Sequence, residues 1–513
     1  MKTFLLYRDR DFALQQPAPP QAQALTDDLA LETLLAAMAS DDRFLRDVAH
    51  AVVLASVVDL DTLRYRQAIL QDCLRYPEVV REIYGLTEEL LAAKRQLYFY
   101  GMSSRFPSSV LSSAITMMQV LVGLLKRLAR IAEEHAHTFR SEGFVTLFAM
   151  LRRELDATYF AEVQQHLSAL RFRNGMLVSA QLGPGNEGIH YVLRKPNATK
   201  RGWVRSLLNQ LSPGNTLYIA DRDEAGVRAL SELRDRGVNL VANALAQSAE
   251  HVESFFAMLR VELAFYLGCL QLHTRLLEIG APVTFPEPAA LGTSVLSAHG
   301  LYDAGLALQL GRPVVGNDVA ADDKDLMVIT GANQGGKSTF LRGLGLAQLM
   351  MQCGMFVPAE SFAASVASGI FTHYRREEDT AMQSGKLDEE LGRMSAIVDL
   401  LRPHALVLLN ESFAATNERE GSEIARQIVR ALIERGIRVV FVTHLYEFAR
   451  QAYAREHERV LFLRAERRPD GTRTFRLLEG APLETGYGED VYRAVFGEAC
   501  VIDPPWSPAP GAV

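Results

Sequence analysis

The stretch Gly331-Ala332-Asn333-Gln334-Gly335-Gly336-Lys337-Ser338 follows the pattern G-x-x-x-x-G-K-S, directly after the apolar run Leu326-Met327-Val328-Ile329. Residues of these types at this spacing hold phosphate. Glycines let the chain curl so that successive N–H groups face an anion, Lys337 supplies a mobile positive charge, and Ser338 offers a hydroxyl to Mg²⁺. The apolar pattern after the loop predicts a helix over about 337–352, whose positive dipole end faces the same anion. The ligand implied is a nucleotide.

A second element lies downstream, where Ala405-Leu406-Val407-Leu408-Leu409 runs into Asn410-Glu411. In nucleotide-hydrolysing sites an acidic residue at such a strand end holds the magnesium water shell, and a following Glu polarises the attacking water. Here Asn410 stands where an Asp is usual, so an uncharged carbonyl would face the metal. A buried strand ending in an ordinary polar turn is the alternative reading.

From about Leu301 to Phe496 these residues join others in an order that resembles the ATPase domain of the MutS family of DNA mismatch-repair proteins. The matching blocks are Val314-Val315-Gly316-Asn317-Asp318, the loop with Asn333 and its double glycine, Gly354 to Glu360, Gly369 to His373, Asn410-Glu411-Ser412 with Thr416, Val442-Thr443-His444 and Gly486-Tyr487-Gly488. The resemblance implies that Gly331 to Thr339 cradle ATP, with Lys337, Ser338 and Thr339 on phosphate and Mg²⁺. It implies that Glu411 is the catalytic carboxylate and His444 the residue that senses the γ-phosphate. Asn317 and the valines before it resemble residues that hold the adenine. Ser384, in Gln383-Ser384-Gly385-Lys386-Leu387, resembles the residue that completes the site of the opposite subunit, which implies a homodimer. By themselves, His444 also fits a strand-end histidine and Ser384 a helix N-cap.

The elements that must position these residues follow from the rest of the chain. At 513 residues it should hold three or four domains, with an ordinary globular composition of 48% hydrophobic and 22% charged residues. Cys73, Cys269, Cys353 and Cys500 show no metal spacing or pairing pattern, which suggests buried thiols in a reducing compartment. The apolar start breaks at Arg8 and Asp9, too soon for a signal peptide, and no apolar run approaches a membrane span, so the expectation is a cytoplasmic protein with no membrane partner.

Residues 1–28 have the composition of a linker. Helical spacing over 29–170, as in Leu31, Leu34, Leu35 and Met38, predicts an all-α core and lever, and Arg66-Gln67-Ala68-Ile69-Leu70 resembles the family's core segment. Within 171–240 a small α/β insert is expected, with a hairpin around Gly183-Pro184-Gly185-Asn186 and a further strand at Leu217 to Ala220. Core helices return over 241–295, the α/β P-loop ATPase domain of the ABC/MutS type occupies 296–503, and 504–513 form a loose tail.

With 54 basic and 61 acidic residues the net charge is −7, so the chain is not built overall to coat nucleic acid. A local patch, Arg194, Lys195, Lys200, Arg201, Trp203 and Arg205, has the types to touch phosphates and stack on a base, or to form a solvated loop. The family's Phe-x-Glu mismatch wedge does not occur in the first hundred residues, and little sequence follows Gly488 for a C-terminal dimerisation extension, so the match is to a short MutS-related branch. Three readings remain open: an ATP-hydrolysing dimer acting on DNA, a nucleotide-gated binding module with little turnover, and one acting on RNA or a protein.

Overall fold

The computed structural model describes residues 1–99, 106–172, 175–195, 218–220, 222–376, 385–455, 458–468 and 470–482. Helices α1 (Ala22–Asp28), α2 (Leu31–Ala39), α3 (Arg43–Leu54) and α4 (Leu60–Arg75) come first. Next are α5 (Pro77–Phe99), α6 (Pro107–His135), α7 (Glu142–Glu154) and α8 (Ala157–Ala169), the hairpin β1 (Leu177–Leu182) and β2 (Gly188–Arg194), and the 55-residue helix α9 (Glu224–Glu278). The chain forms two compact units. One contains Met1 to Leu5, Asp9 to Phe12 and the described residues from Tyr76 to Leu263, and the other contains Leu6 to Arg8, Ala13 to Arg75 and the described residues from Ala264 onward.

In the unit built on α5 to α8, local chemistry sets the helix limits. Pro107 begins α6, where its missing N–H costs nothing, and the side chain of Asp156 caps α8 by accepting from the Tyr159 amide at 2.7 Å. The buried side of α6 includes Leu121, Leu125 and Leu128 at helical spacing. Against the expectation from sequence, α6 and α9 each hold a window apolar and long enough to cross a membrane, with mean hydropathies of 1.7 and 1.5. Half of the first window and 78% of the second are buried inside the protein, as in core helices.

Three other expectations are corrected. The segment Tyr218 to Ala220 is not a strand, and α9 starts at Glu224 and runs unbroken past residue 241. The first residues are not a simple linker, since Leu5 and Leu6 are fully buried. The buried Glu262 carboxylate on α9 accepts from the backbone amides of Leu5 at 2.6 Å and Phe12 at 3.1 Å. Burial pushes this carboxyl up to about 7, against the effect of the two amide donors.

The other unit continues with β3 (Glu287–Ala289), β4 (Leu296–Leu301), α10 (Ala304–Leu310), β5 (Asn317–Ala320), β6 (Leu326–Gly331), α11 (Lys337–Gln352), β7 (Ser361–Ser365) and β8 (Ile370–Tyr374). It ends with α12 (Lys386–Leu400), β9 (Leu406–Asn410), α13 (Glu418–Glu434), β10 (Arg438–Val442), α14 (Tyr446–Arg455), β11 (Val460–Arg467) and β12 (Arg473–Glu479). A six-stranded sheet has the order β12-β11-β6-β10-β9-β8, parallel except for β12, and a four-stranded sheet has the order β3-β7-β4-β5. Strand β6 is buried throughout and Leu406 to Leu409 of β9 are buried, which explains the apolar runs there, while β8 is buried throughout and yet carries Thr372 and His373. Val442 pairs with both Ile329 and Asn410, and Tyr374 with Asn410, so the carboxyl ends of β6, β10, β9 and β8 lie at one edge. Open α/β sheets bind ligands at this edge.

Candidate functional site

The loop between β6 and α11 is wound by positive φ angles at Gly331, Gln334 and Gly336. At Gly335 a Cβ atom would lie 2.8 Å from the Ala332 carbonyl oxygen and 2.6 Å from Ala465, so the close winding needs glycine there. Lys337 folds back over the loop, its Nζ donating to the carbonyls of Gly331 at 3.0 Å and Ala332 at 2.9 Å. Burial brings this ammonium down to about 8, with Glu411 opposing and Arg473 adding to the shift. A buried cation whose partners among the described residues are two carbonyls is prepared to receive an anion.

At the end of β9, Ser338 Oγ donates to Asn410 Oδ1 at 2.9 Å, which brings the two residues expected to face the metal together. Among the described residues no group of three or more His, Cys, Asp or Glu could hold a metal by itself. Two neutral oxygens beside the Glu411 carboxylate fit Mg²⁺, a hard ion that takes oxygen donors and completes its shell with water and nucleotide phosphates. Glu411 sits at φ 52° and Phe413 at φ 66°. Left-handed backbone at a residue other than glycine costs about 1–2 kcal/mol, so this turn is held by its surroundings. One of them is α13, where a Cβ at Gly421 would fall 2.5 Å from the Phe413 carbonyl oxygen.

The Glu411 carboxylate lies 3.2 Å from His444 Nε2 and 3.9 Å from Arg375. The hydrogen bond from His444, helped by the nearby charges of Lys337 and Arg375, holds the Glu411 carboxyl below its ordinary range despite partial burial. It is therefore ionised at neutral pH and able to polarise a water. Behind the turn, His373 is buried and stacked on Phe413, with Nδ1 2.7 Å from Ser412 Oγ and Nε2 3.1 Å from the Glu390 carbonyl oxygen. Burial, aided by Arg393 and Arg376, brings His373 down to about 4, so the ring is neutral. Only Nε2–H can serve the Glu390 carbonyl, and the Ser412 hydroxyl lies 2.7 Å from both the bare Nδ1 and the His373 carbonyl oxygen, which share its one proton.

Beside the loop, a cavity of about 430 Å³ is lined by Leu310, Pro313, Val314, Val315, Asn317, Thr339 and Phe475 among others. Asn317 is placed there, but both ends of its amide are occupied. Nδ2 donates to the Phe475 carbonyl at 3.1 Å, and Oδ1 accepts from the Leu477 amide at 2.7 Å. Asn317 thus ties β5 to β12, and the aromatic residues lining the cavity are Tyr302, Phe340 and Phe475, the last with its backbone against Gly336. Sequence reading did not find Phe475, nor Arg473, whose Nε donates to the Asn333 carbonyl at 3.2 Å. Its one sequence signal was an aromatic and a basic residue on a short strand near the end of the domain.

Ser384, Lys200, Arg201, Trp203 and Arg205 lie outside the described residues, as do Gly486-Tyr487-Gly488 and Cys500. Arg194 bonds across the hairpin to Ser179 Oγ at 2.9 Å, and with Lys195 it borders a groove of about 1020 Å³ whose walls include Met118, Leu155, Val163 and Leu245. That lining is largely apolar rather than a run of phosphate contacts.

A parallel sheet whose central strand feeds a phosphate-type loop, with a carboxylate and a histidine on adjoining strand ends, defines a P-loop nucleotide-binding domain. Comparison with known proteins makes the assignment narrower. Residues 58–279 match the family model of the MutS2 N-terminal domain, and residues 327–503 match MutS domain V. The chain is 41% identical over 137 residues to the DNA mismatch repair protein MutS of Thermotoga neapolitana, covering 26% of this chain and 17% of that protein. It is 27% identical over 248 residues to its namesake in Chloroflexus aurantiacus, covering 47% and 25%. Identity to the endonuclease MutS2 of Lacticaseibacillus paracasei is 32% over 254 residues, covering 48% and 31%. The chain belongs to the MutS family. The aligned stretches amount to less than a third of each of these relatives.

Proposed function

We propose that this chain binds and hydrolyses ATP with Mg²⁺ and couples the cycle to DNA. The observation that carries the reading is the convergence of Lys337, Ser338, Asn410, Glu411 and His444 at one sheet edge. Loop amides and Lys337 hold the phosphates, and the nucleobase occupies the cavity against Val315 and Phe475. Mg²⁺, when bound, neutralises charge on the β- and γ-phosphates. Glu411 orients and polarises the attacking water, and His444 steers Glu411 and marks where the γ-phosphate ends.

The reading extends to a homodimer in which Ser384 completes the site of the opposite subunit. Mixing Ser384→Arg with Lys337→Ala chains then restores part of the activity that each lacks alone. Mixed dimers without activity refute the arrangement. DNA as the partner is supported by the family and by the printed name of the MutS relatives. Gel shifts with duplex, branched and single-stranded DNA, with ATP and with ADP, test it. A nucleotide-dependent shift is expected with one of these DNAs, and binding only to RNA or only to a protein would overturn it. The second reading, a nucleotide-gated module with little turnover, is favoured specifically by Asn410, and measured turnover decides between the two.

A further inference from the structure

Buried polar contacts tie the Glu411 turn to helix α12, and the site as described makes no use of them. Glu390, on α12, is buried, and its Oε1 accepts from the Phe413 amide at 2.6 Å. Its other carboxylate oxygen has no hydrogen-bond partner among the described residues. Its backbone carbonyl receives the bond from His373 Nε2, while Ser412 Oγ meets both His373 Nδ1 and the His373 carbonyl oxygen at 2.7 Å. Arg393, one turn further along α12, donates to the Tyr374 carbonyl at 3.1 Å. Thus α12 grips the residue after Glu411 through His373 and the next one directly, while also bonding the end of β8.

Burying a carboxylate with one oxygen unpartnered is costly, and a hydrophobic residue would pack the same space without that cost. The two residues held, Ser412 and Phe413, belong to the turn whose left-handed angles at Glu411 and Phe413 need external support. The Phe413 amide has its orientation fixed by that angle, and Glu390 supplies the acceptor it requires there.

We propose that His373 and Glu390 are positioning residues for hydrolysis, fixing the Glu411–Phe413 turn to α12 so that the Glu411 carboxylate stays beside His444. The proposal rests on the reading of Glu411 as the catalytic carboxylate. Neither residue touches the nucleotide cavity, so their loss acts on turnover and not on binding. The two links are parts of one device, and breaking both costs little more than breaking one.

The test measures steady-state hydrolysis and fluorescent-nucleotide affinity for the full chain, its Glu411→Gln form, Glu390→Ala, Glu390→Gln, His373→Gln, His373→Asn and a Glu390→Ala/His373→Gln double variant. Glu390→Ala is expected to lower kcat at least tenfold with nucleotide Kd within about threefold. Glu390→Gln keeps an acceptor for the Phe413 amide and recovers most of the rate. His373→Gln keeps a donor for the Glu390 carbonyl, and His373→Asn keeps an acceptor for Ser412. Both are polar and close in size to histidine, so they keep the test open if Glu390→Ala fails to fold, and each lowers kcat with Kd unchanged. Folded Glu390→Ala, His373→Gln or His373→Asn variants that turn over within twofold of the parent, or that lose affinity in proportion to rate, overturn the proposal, as does a Glu390→Gln form no faster than Glu390→Ala or a double variant showing the product of the single losses. A parent with no turnover, or a fully active Glu411→Gln form, instead removes the ATPase reading and the proposal with it.

Discussion

Replacing Phe475 with Ala should weaken nucleotide binding while leaving the chemical step nearly intact. The ring is 48% exposed beside the phosphate loop. A phenylalanine buries roughly 150–250 Å² in full, so a base can cover at most about 120 Å² more of this one. At about 25 cal/mol per Å² that is worth no more than about 3 kcal/mol. A base covers one face only, which brings the expectation to about 1–2 kcal/mol, at the lower end of measured base–aromatic contacts. Kd should therefore rise about 5- to 30-fold. The loss should be equal for ATP and ADP, which share the base, and kcat at saturation should stay within about threefold because the carboxylate and histidine lie elsewhere on the sheet edge. Alanine inherits the same backbone angle of φ 61°, so added strain does not confuse the comparison. Titration of a fluorescent nucleotide against the parent, Phe475→Ala and Phe475→Trp measures the effect, with the Trp variant retaining affinity. An unchanged Kd in folded Phe475→Ala would show that the base lies elsewhere.

Three further outcomes are expected. Lys337→Ala should abolish measurable ATP binding in calorimetry without unfolding the protein, since the remaining loop amides lack its charge; an unchanged Kd would refute the phosphate assignment. Asn410→Asp should lower the Mg²⁺ concentration needed for half-maximal hydrolysis, because a carboxylate attracts a divalent cation more than an amide does; an unchanged or weaker Mg²⁺ dependence would mean that Asn410 does not face the metal. Glu262 has a folded pKa of about 7, above its ordinary 4.5. The folded unit thus keeps a proton that the unfolded chain has lost. The corresponding stability, roughly 3 kcal/mol, is fully present below about pH 4.5 and gone once pH has risen through about 7. Thermal melting of the parent and Glu262→Gln at pH 5 and 8 checks the sign: the parent should lose more on going to pH 8, and parallel losses would contradict it.

How much could be read from the sequence depended on whether the residues of a feature are neighbours in the chain. The phosphate loop is one contiguous stretch, and its glycine spacing reports its backbone directly. The strand ending at Asn410-Glu411 showed as an apolar run because β9 is buried on both faces. The cavity wall was not visible in this way, since Asn317 and Leu477 meet from 160 positions apart. Phe475 enters only because β12 turns back antiparallel on β11. Likewise His373 and Glu390 looked like an ordinary strand residue and an ordinary helix residue until the sheet placed them behind the Glu411 turn. The length of α9 was underestimated because the polar residues in its first turns, Glu224 to Arg236, broke the apolar pattern without breaking the helix.

The proposed role of Glu411, activating water at an ATP site built on Lys337, is tested by comparing Mg²⁺-dependent ATP hydrolysis by the parent and by Glu411→Gln alongside their ATP affinities. Removing a group that acts chiefly on the transition state should cut turnover about 10²- to 10⁴-fold. The predicted result is a parent that hydrolyses ATP and a variant that binds ATP as tightly but does not. Equal turnover in both, or no ATP binding by either, would rule out Glu411 as the water-activating carboxylate of an ATP site.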